Sequence, residues 1–160
     1  MRHNRKRKMP GSNSAHRRAN VRNLVLALIQ RERIKTTEAK AKAVKPVIDR
    51  LVYRAKDDTV HSRRLANRLI KDRSVIKKLY TEIAPLFEGR VGGYVRIVKG
   101  YERHGDGAKM VVLEFIDKTQ SYYDLEKARE ERRKAEKDKQ VEAAKKEAEM
   151  DAQMGGEAAL

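Results

Sequence analysis

Apolar residues recur with helical period four times along this chain and then switch to alternation. Val21, Leu24, Val25, Leu28 and Ile29 fall at i, i+3, i+4, i+7 and i+8, which predicts a first helix with Ser14 as its N-cap. Glu32–Thr36, centred on Ile34, reads as a short strand. Thr37 then caps a second helix, with Glu38 in its first turn where the helix dipole favours an acid. The stripe of this helix is Val44, Val47, Ile48, Leu51, Val52 and Ala55. Pro46 lies within it and predicts a kink near Lys45, or a break with the better helix starting at Pro46. Asp57, Asp58 and Thr59 make a turn and cap. A third helix follows over about Val60–Ile70, with Leu65, Ala66 and Leu69 apolar. Val75, Ile76, Leu79, Tyr80 and Ile83 mark a fourth, ending at Pro85 or just beyond.

Gly89, Gly92 and Gly93 punctuate the chain before the period changes. Tyr94–Tyr101 alternates, with Val95 and Ile97 on one side and Tyr94, Arg96 and Val98 on the other. His104, Gly105, Asp106 and Gly107 signal a turn. Met110–Ile116 is the return strand, with Val111, Leu113 and Phe115 on one face, so the pair reads as an antiparallel hairpin. The order α-β-α-α-α-β-β predicts an α+β fold of two layers, with helices packed on one face of a small three-stranded sheet. Residues 1–13 have no periodicity and read as an extended arm, disordered when free. Residues 119–160 are rich in Ala, Glu and Lys, with Glu130–Lys134 and Glu142–Lys146 in the favoured i, i+4 order. Their apolar residues are too sparse for a core face, so this extension is either an exposed helix or a solvated tail. The organisation expected is an arm over 1–13, a core over 14–118 and a charged extension over 119–160.

Charge changes the picture from fold to partner. The chain has 160 residues and a formal net charge of +16. Its first 31 residues hold nine Lys or Arg and no acid. Such a run repels itself and calls for a polyanion; a nucleic-acid backbone supplies one, since neutralising phosphates releases condensed counterions. Residues 1–118 carry a net charge of +18 and residues 119–160 a net −2, so the basic character belongs to arm and core. The absence of Cys excludes disulfides, thiolate metal sites and a Cys nucleophile, and fits a reducing cytosol. No apolar run approaches the roughly 20 residues of a membrane span. Leu24–Ile29 is too short for a signal peptide, which leaves a mitochondrial transit peptide as the one targeting alternative.

Three segments are candidate nucleic-acid contacts. The arm offers Arg2, Arg5, Lys6, Arg7 and Lys8, and the charge continues onto the first helix through Arg17, Arg18 and Arg22. The second segment is Lys35, Thr36 and Thr37 with Lys40 and Lys42, where hydroxyls and amides at a helix start suit phosphate; simple capping by Thr37 is the competing reading. The third is Arg90, Gly92, Gly93, Tyr94 and Arg96. Paired glycines allow close backbone approach, Tyr94 is the candidate for stacking on a base, and Arg96 for phosphate. His3, His16, His61 and His104 lack ligand spacing, and Asp57–Asp58 reads as a turn. Nothing calls for catalysis, a metal, a cofactor or a small-molecule substrate.

Several motifs occur together in a recognisable order. Met1-Arg2-His3 precedes the basic run, followed by Ser14-Ala15-His16-Arg17 and Arg22-Asn23-Leu24. Ile34-Lys35-Thr36-Thr37 comes next with Lys40-Ala41-Lys42, then Arg63-Arg64-Leu65-Ala66. Gly92-Gly93-Tyr94-Val95-Arg96-Ile97 and Gly105-Asp106 with Ala108 complete the set. Over about residues 1–118 the chain resembles the bacterial large-subunit ribosomal protein L-seventeen family. The resemblance implies a structural constituent of the large ribosomal subunit, without enzymatic activity or cofactor. It implies binding to the large ribosomal RNA near the outer end of the peptide exit tunnel, in the cytoplasm. It also implies contact with neighbouring subunit proteins, a zinc-ribbon protein among them, and neither membrane association nor a homo-oligomer. It adds His3, Ser14, His16, Arg63 and Arg64 to the candidate RNA contacts. Compact members end near the position of Asp117, so nothing carries over to the extension. Two rivals stay open: a DNA-binding regulator or nucleoid protein whose short helices hide a helix-turn-helix, and an RNA-modifying or cleaving enzyme.

Overall fold

The computed structural model describes residues 11–157, with side chains detailed in the C-terminal part as far as residue 140. The arm candidates Arg2, His3, Arg5, Lys6, Arg7 and Lys8 lie outside the described residues, as do the side chains of Glu142 and Lys146. The described chain divides into a unit ending at Thr119 and a second beginning at Gln120.

Helix α1, Ser14–Arg31, buries Val21, Val25, Leu28 and Ile29. Its N-cap is Asn13, whose side chain accepts the His16 amide at 2.8 Å; Ser14 is the first helical residue and not the cap. An Asn carboxamide reaches the free amide as well as a hydroxyl does, so local chemistry one residue away wins. The helix ends at Glu32, which takes the left-handed conformation at φ 59° and returns its N–H to the Leu28 carbonyl. Glu32 is therefore a cap rather than the first strand residue, and strand β1 spans Arg33–Thr37.

Helix α2, Glu38–Ala55, starts directly from β1. Thr37 sits at the N-cap position, yet its side chain makes no capping hydrogen bond. Of the two outcomes expected at Pro46, a kink or a break, the break does not occur: one helix runs through it. Pro46 is exposed, on the side of α2 away from its buried stripe. Ala41, Val44, Ile48, Val52 and Ala55 are buried against the rest of the core. Helix α2 touches all three strands, and α1 packs against it.

Helix α3, Val60–Leu69, is capped by Thr59, which accepts the Ser62 amide at 3.1 Å. The fourth predicted helix proves to be three joined pieces: α4, Arg73–Lys78, a π-helical turn Leu79–Ile83, and α5, Ala84–Leu86. The wider turn brings Leu79, Tyr80 and Ile83 together into the core. The Ser62 hydroxyl donates to the Arg54 carbonyl at 2.5 Å and lies 2.7 Å from the Tyr80 hydroxyl, tying α3 to α2 and to the π turn.

Strands β2, Val95–Glu102, and β3, Lys109–Phe115, form the expected hairpin. The sheet order is β1-β3-β2, antiparallel throughout. Ile34, Thr36, Val95, Val111, Leu113 and Phe115 turn toward the helices and are buried. Lys99 pairs with Val111 and Glu102 with Lys109, so Gly100 and Tyr101 together face Met110 in a β-bulge. A Cβ on Gly100 would stand 2.8 Å from the Met110 carbonyl oxygen, which is why glycine occupies that position. At the hairpin end Arg103 bonds Asp106, and this bond is the main reason the Asp106 carboxyl falls to about 2. The arrangement is the two-layer α+β fold expected from the sequence.

Helix α6 spans Gln120–Glu157 and makes up most of the second unit. At 1.5 Å per residue it is about 57 Å long. Its start is held internally by Gln120 on Asp124 at 3.2 Å and the Tyr122 hydroxyl on Glu126 at 3.1 Å. Among the described residues the extension is helical over Gln120–Glu157.

Candidate nucleic-acid interface

The first turns of α1 stand clear of the core. Every residue from Gly11 to Ala19 is exposed, including Ser14, His16, Arg17 and Arg18. No acid occupies the first turn. Cations at the positive end of a helix dipole are unfavourable unless an anion is near. Arg17 turns back onto the carbonyls of Gly11 and Ser12, at 3.2 and 3.5 Å. Arg22 is half-buried, and its Nε is enclosed with no hydrogen-bond partner among the described residues. Arg18 and Arg22 have no carboxylate within 4 Å among those residues.

The second candidate segment divides. Lys35 is exposed on the sheet face away from the helices, whereas Thr36 is 7 % exposed and points into the core. Lys42 is ion-paired with Glu38, whose carboxyl is held below its ordinary value by the Lys42 hydrogen bond and charge. Lys40 is half-buried in the first turn of α2. The strand-to-helix junction therefore does not gather these side chains into one phosphate pocket.

The glycine loop departs most from expectation. Tyr94 is 1 % exposed and precedes β2 instead of opening it. Its ring packs edge-on against Phe87, 5.3 Å between centroids, and its hydroxyl lies 3.2 Å from the carbonyls of Arg90 and Val91. Burial pushes the phenol pKa up. A ring so enclosed cannot stack on a base, and Tyr94 is a core residue that fastens the loop. Asp49 receives the Tyr94 amide at 3.0 Å and Lys56 reaches the Arg90 carbonyl at 3.0 Å, so α2 fixes both ends. Gly92 and Gly93 face open space, and Gly93 has φ +67°. The backbone there has room beside it. Arg90 lies 3.8 Å from Asp117.

On α3, Arg64 is exposed. Arg63 is held twice, by Asp58 at 2.5 and 2.7 Å and over the Tyr80 ring at 4.8 Å. Arg96 donates to Glu114 at 2.7 Å, and Arg33 and Lys118 approach the same carboxylate at 3.4 Å each. Burial raises the Glu114 pKa, but the Arg96 hydrogen bond and the Lys118 and Arg96 charges outweigh it, so the group lies below its ordinary value. Arg33 and Lys118 escaped the sequence reading; the sheet register brings Arg33 to Glu114, and Lys118 reaches it from four residues on, just past the end of β3. The described residues contain no cluster of three His, Asp or Glu able to hold a metal, and no helix among them is long and apolar enough to cross a membrane.

A family model described as ribosomal protein L17 matches residues 20–116. The chain is 45 % identical over 106 residues to the large ribosomal subunit protein bL17 of Borrelia hermsii, covering 66 % of this chain and 86 % of that one. It is 44 % identical over 117 residues to the bL17 protein of Syntrophotalea carbinolica, covering 73 % and 76 %. With the bL17 protein of Chloroflexus aggregans it shares 45 % identity over 116 residues, 72 % of this chain and the whole of the relative. The family match stops before α6. The chain belongs to the bacterial ribosomal protein L17 family.

Proposed function

We propose that this chain is a structural, non-catalytic component of the large ribosomal subunit that binds large-subunit ribosomal RNA and steadies its fold near the outer end of the peptide exit tunnel. It works bound to the ribosome in the cytoplasm, beside neighbouring subunit proteins that include a zinc-ribbon protein. The names of its relatives support the ribosomal role. The observation that carries RNA binding is the protruding start of α1. Its exposed turns present Arg17 and Arg18 without an acid, and the enclosed Arg22 Nε lacks an acceptor. Phosphate oxygens are the natural complement of a guanidinium fork. The basic arm leads into this turn. Arg64, the Gly92–Gly93 backbone and the cations of the sheet supply further contacts on separate elements, so the protein clamps several pieces of RNA on one rigid core.

The expected result is selective binding of structured RNA. Filter binding at equal salt should give at least about tenfold tighter binding of large-subunit ribosomal RNA than of duplex DNA of equal length, a difference of about 1.4 kcal/mol. Equal affinity for the two would favour a DNA-binding regulator instead.

A further inference from the structure

We infer that the outer face of the three-stranded sheet, the face turned away from the helices, is a platform for a single-stranded RNA segment, with Tyr101 as its base-stacking residue. This inference rests on the RNA-binding reading above and adds a surface and a residue to it.

The register sets out the face in rows. Arg33, Glu114 and Arg96 lie side by side across the three strands, and Lys35, Val112 and Val98 form the next row. Before the bulge, Val95, Ile97 and Lys99 carry the parity of the buried positions. A strand in strict alternation would turn Tyr101 toward the helix side. The bulge inserts one residue, and a one-residue shift moves every later side chain to the opposite face. Tyr101 therefore joins Met110 and Thr37 in a third row on the outer face. It is 59 % exposed, in contrast to the enclosed Tyr94. Gly100, held to glycine by the Met110 carbonyl, keeps the bulge in place.

The chemistry of the face suits RNA. Arg33, Arg96 and Lys118 surround one carboxylate, Glu114, and Lys35 lies in the next row, so the face keeps an excess of positive charge. Arg33 and Arg96 each touch Glu114, which fixes their direction, and both remain about half exposed, where a phosphate can reach a guanidinium. Val98, 42 % exposed, gives an apolar step between the arginine row and Tyr101. At about 3.4 Å per residue the two rows are about 14 Å apart, room for a short run of unpaired nucleotides. Proteins that read unpaired RNA stack its bases on exposed aromatic side chains in this way, with cations along the backbone.

The test uses the full chain and large-subunit ribosomal RNA, comparing wild type, Tyr101→Ala and Tyr101→Phe across a salt series. Loss of one stacked base should weaken binding by roughly five- to a hundredfold in Tyr101→Ala. Tyr101→Phe should bind like wild type, and the salt slope should be the same in all three, since no charge changes. Tyr101 is exposed, so unchanged circular dichroism and melting confirm that the variants fold. If Tyr101→Ala binds as tightly as wild type, or Tyr101→Phe is as weak as the alanine variant, the stacking platform is wrong while RNA binding stands. If wild type itself fails to bind the RNA, the RNA-binding reading and the platform fall together.

Discussion

Replacing Glu32 with alanine is expected to destabilise the folded chain by about 3 kcal/mol or more, the range seen when one member of a buried ion pair is removed. Glu32 is 1 % exposed. Its carboxylate accepts the Thr119 amide at 2.9 Å, the Thr119 hydroxyl at 2.5 Å and the Lys78 ammonium at 2.8 Å. Its own carbonyl receives the Phe115 amide at 3.1 Å. One residue thus joins the end of α1, the last turn of α4 and the segment that follows β3. Without the carboxylate, Lys78 retains the Gln30 carbonyl at 3.1 Å, and the buried Thr119 loses two bonds. The left-handed backbone at φ 59° costs about 1–2 kcal/mol in any non-glycine residue, which marks the anchor as the reason for a glutamate here. Glu32→Gly separates the two effects: it relieves the backbone and removes the anchor. Urea denaturation should find both variants less stable than wild type, with Glu32→Gly the milder. An alanine variant as stable as wild type, or a glycine variant more stable than it, would show that the anchor contributes nothing.

Glu32 also shows what sequence alone conveys. The 3.6-residue and two-residue periods of the apolar positions carry element order, because those patterns are local. The partners of Glu32 are 87 residues away at Thr119 and 46 away at Lys78, and no local pattern encodes them. Pro46 suggested a kink or a break because its effect on a hydrogen bond is local, but the helix continues through it, with α2 packed against all three strands. Tyr94 read as an exposed stacking residue because strand alternation was begun one residue early, whereas its burial follows from contacts with Phe87 and the loop carbonyls. Tyr101 was overlooked for the complementary reason. Its face is decided by a bulge, and the lone sequence signal of that bulge is Gly100 within an otherwise regular strand. The basic turn of α1 was visible at once, since charge density and the absence of acids need no tertiary information.

Deleting residues 2–8 is expected to have the largest effect on RNA binding. The segment removes Arg2, Arg5, Lys6, Arg7 and Lys8, five cations with no acid among them. Each phosphate neutralised contributes about 0.7–0.9 to the slope of log affinity against log salt. Full engagement of the arm therefore predicts a slope shallower by about four units, and an affinity lower by a factor on the order of a hundred or more at low salt. Stability should change little, because the core of α1 begins at Val21. An unchanged slope would remove the arm from the mechanism and leave the α1 turn and the sheet face to account for binding.

The most direct check of the ribosomal role is sedimentation of the native protein from cell lysate on sucrose gradients at low and high salt, read by immunoblot. Stoichiometric migration with the large subunit that survives high salt is the predicted result, since charges clamped on RNA from several elements release together or not at all. Protein at the top of the gradient, or with the subunit at low salt alone, would contradict a structural place in the large subunit.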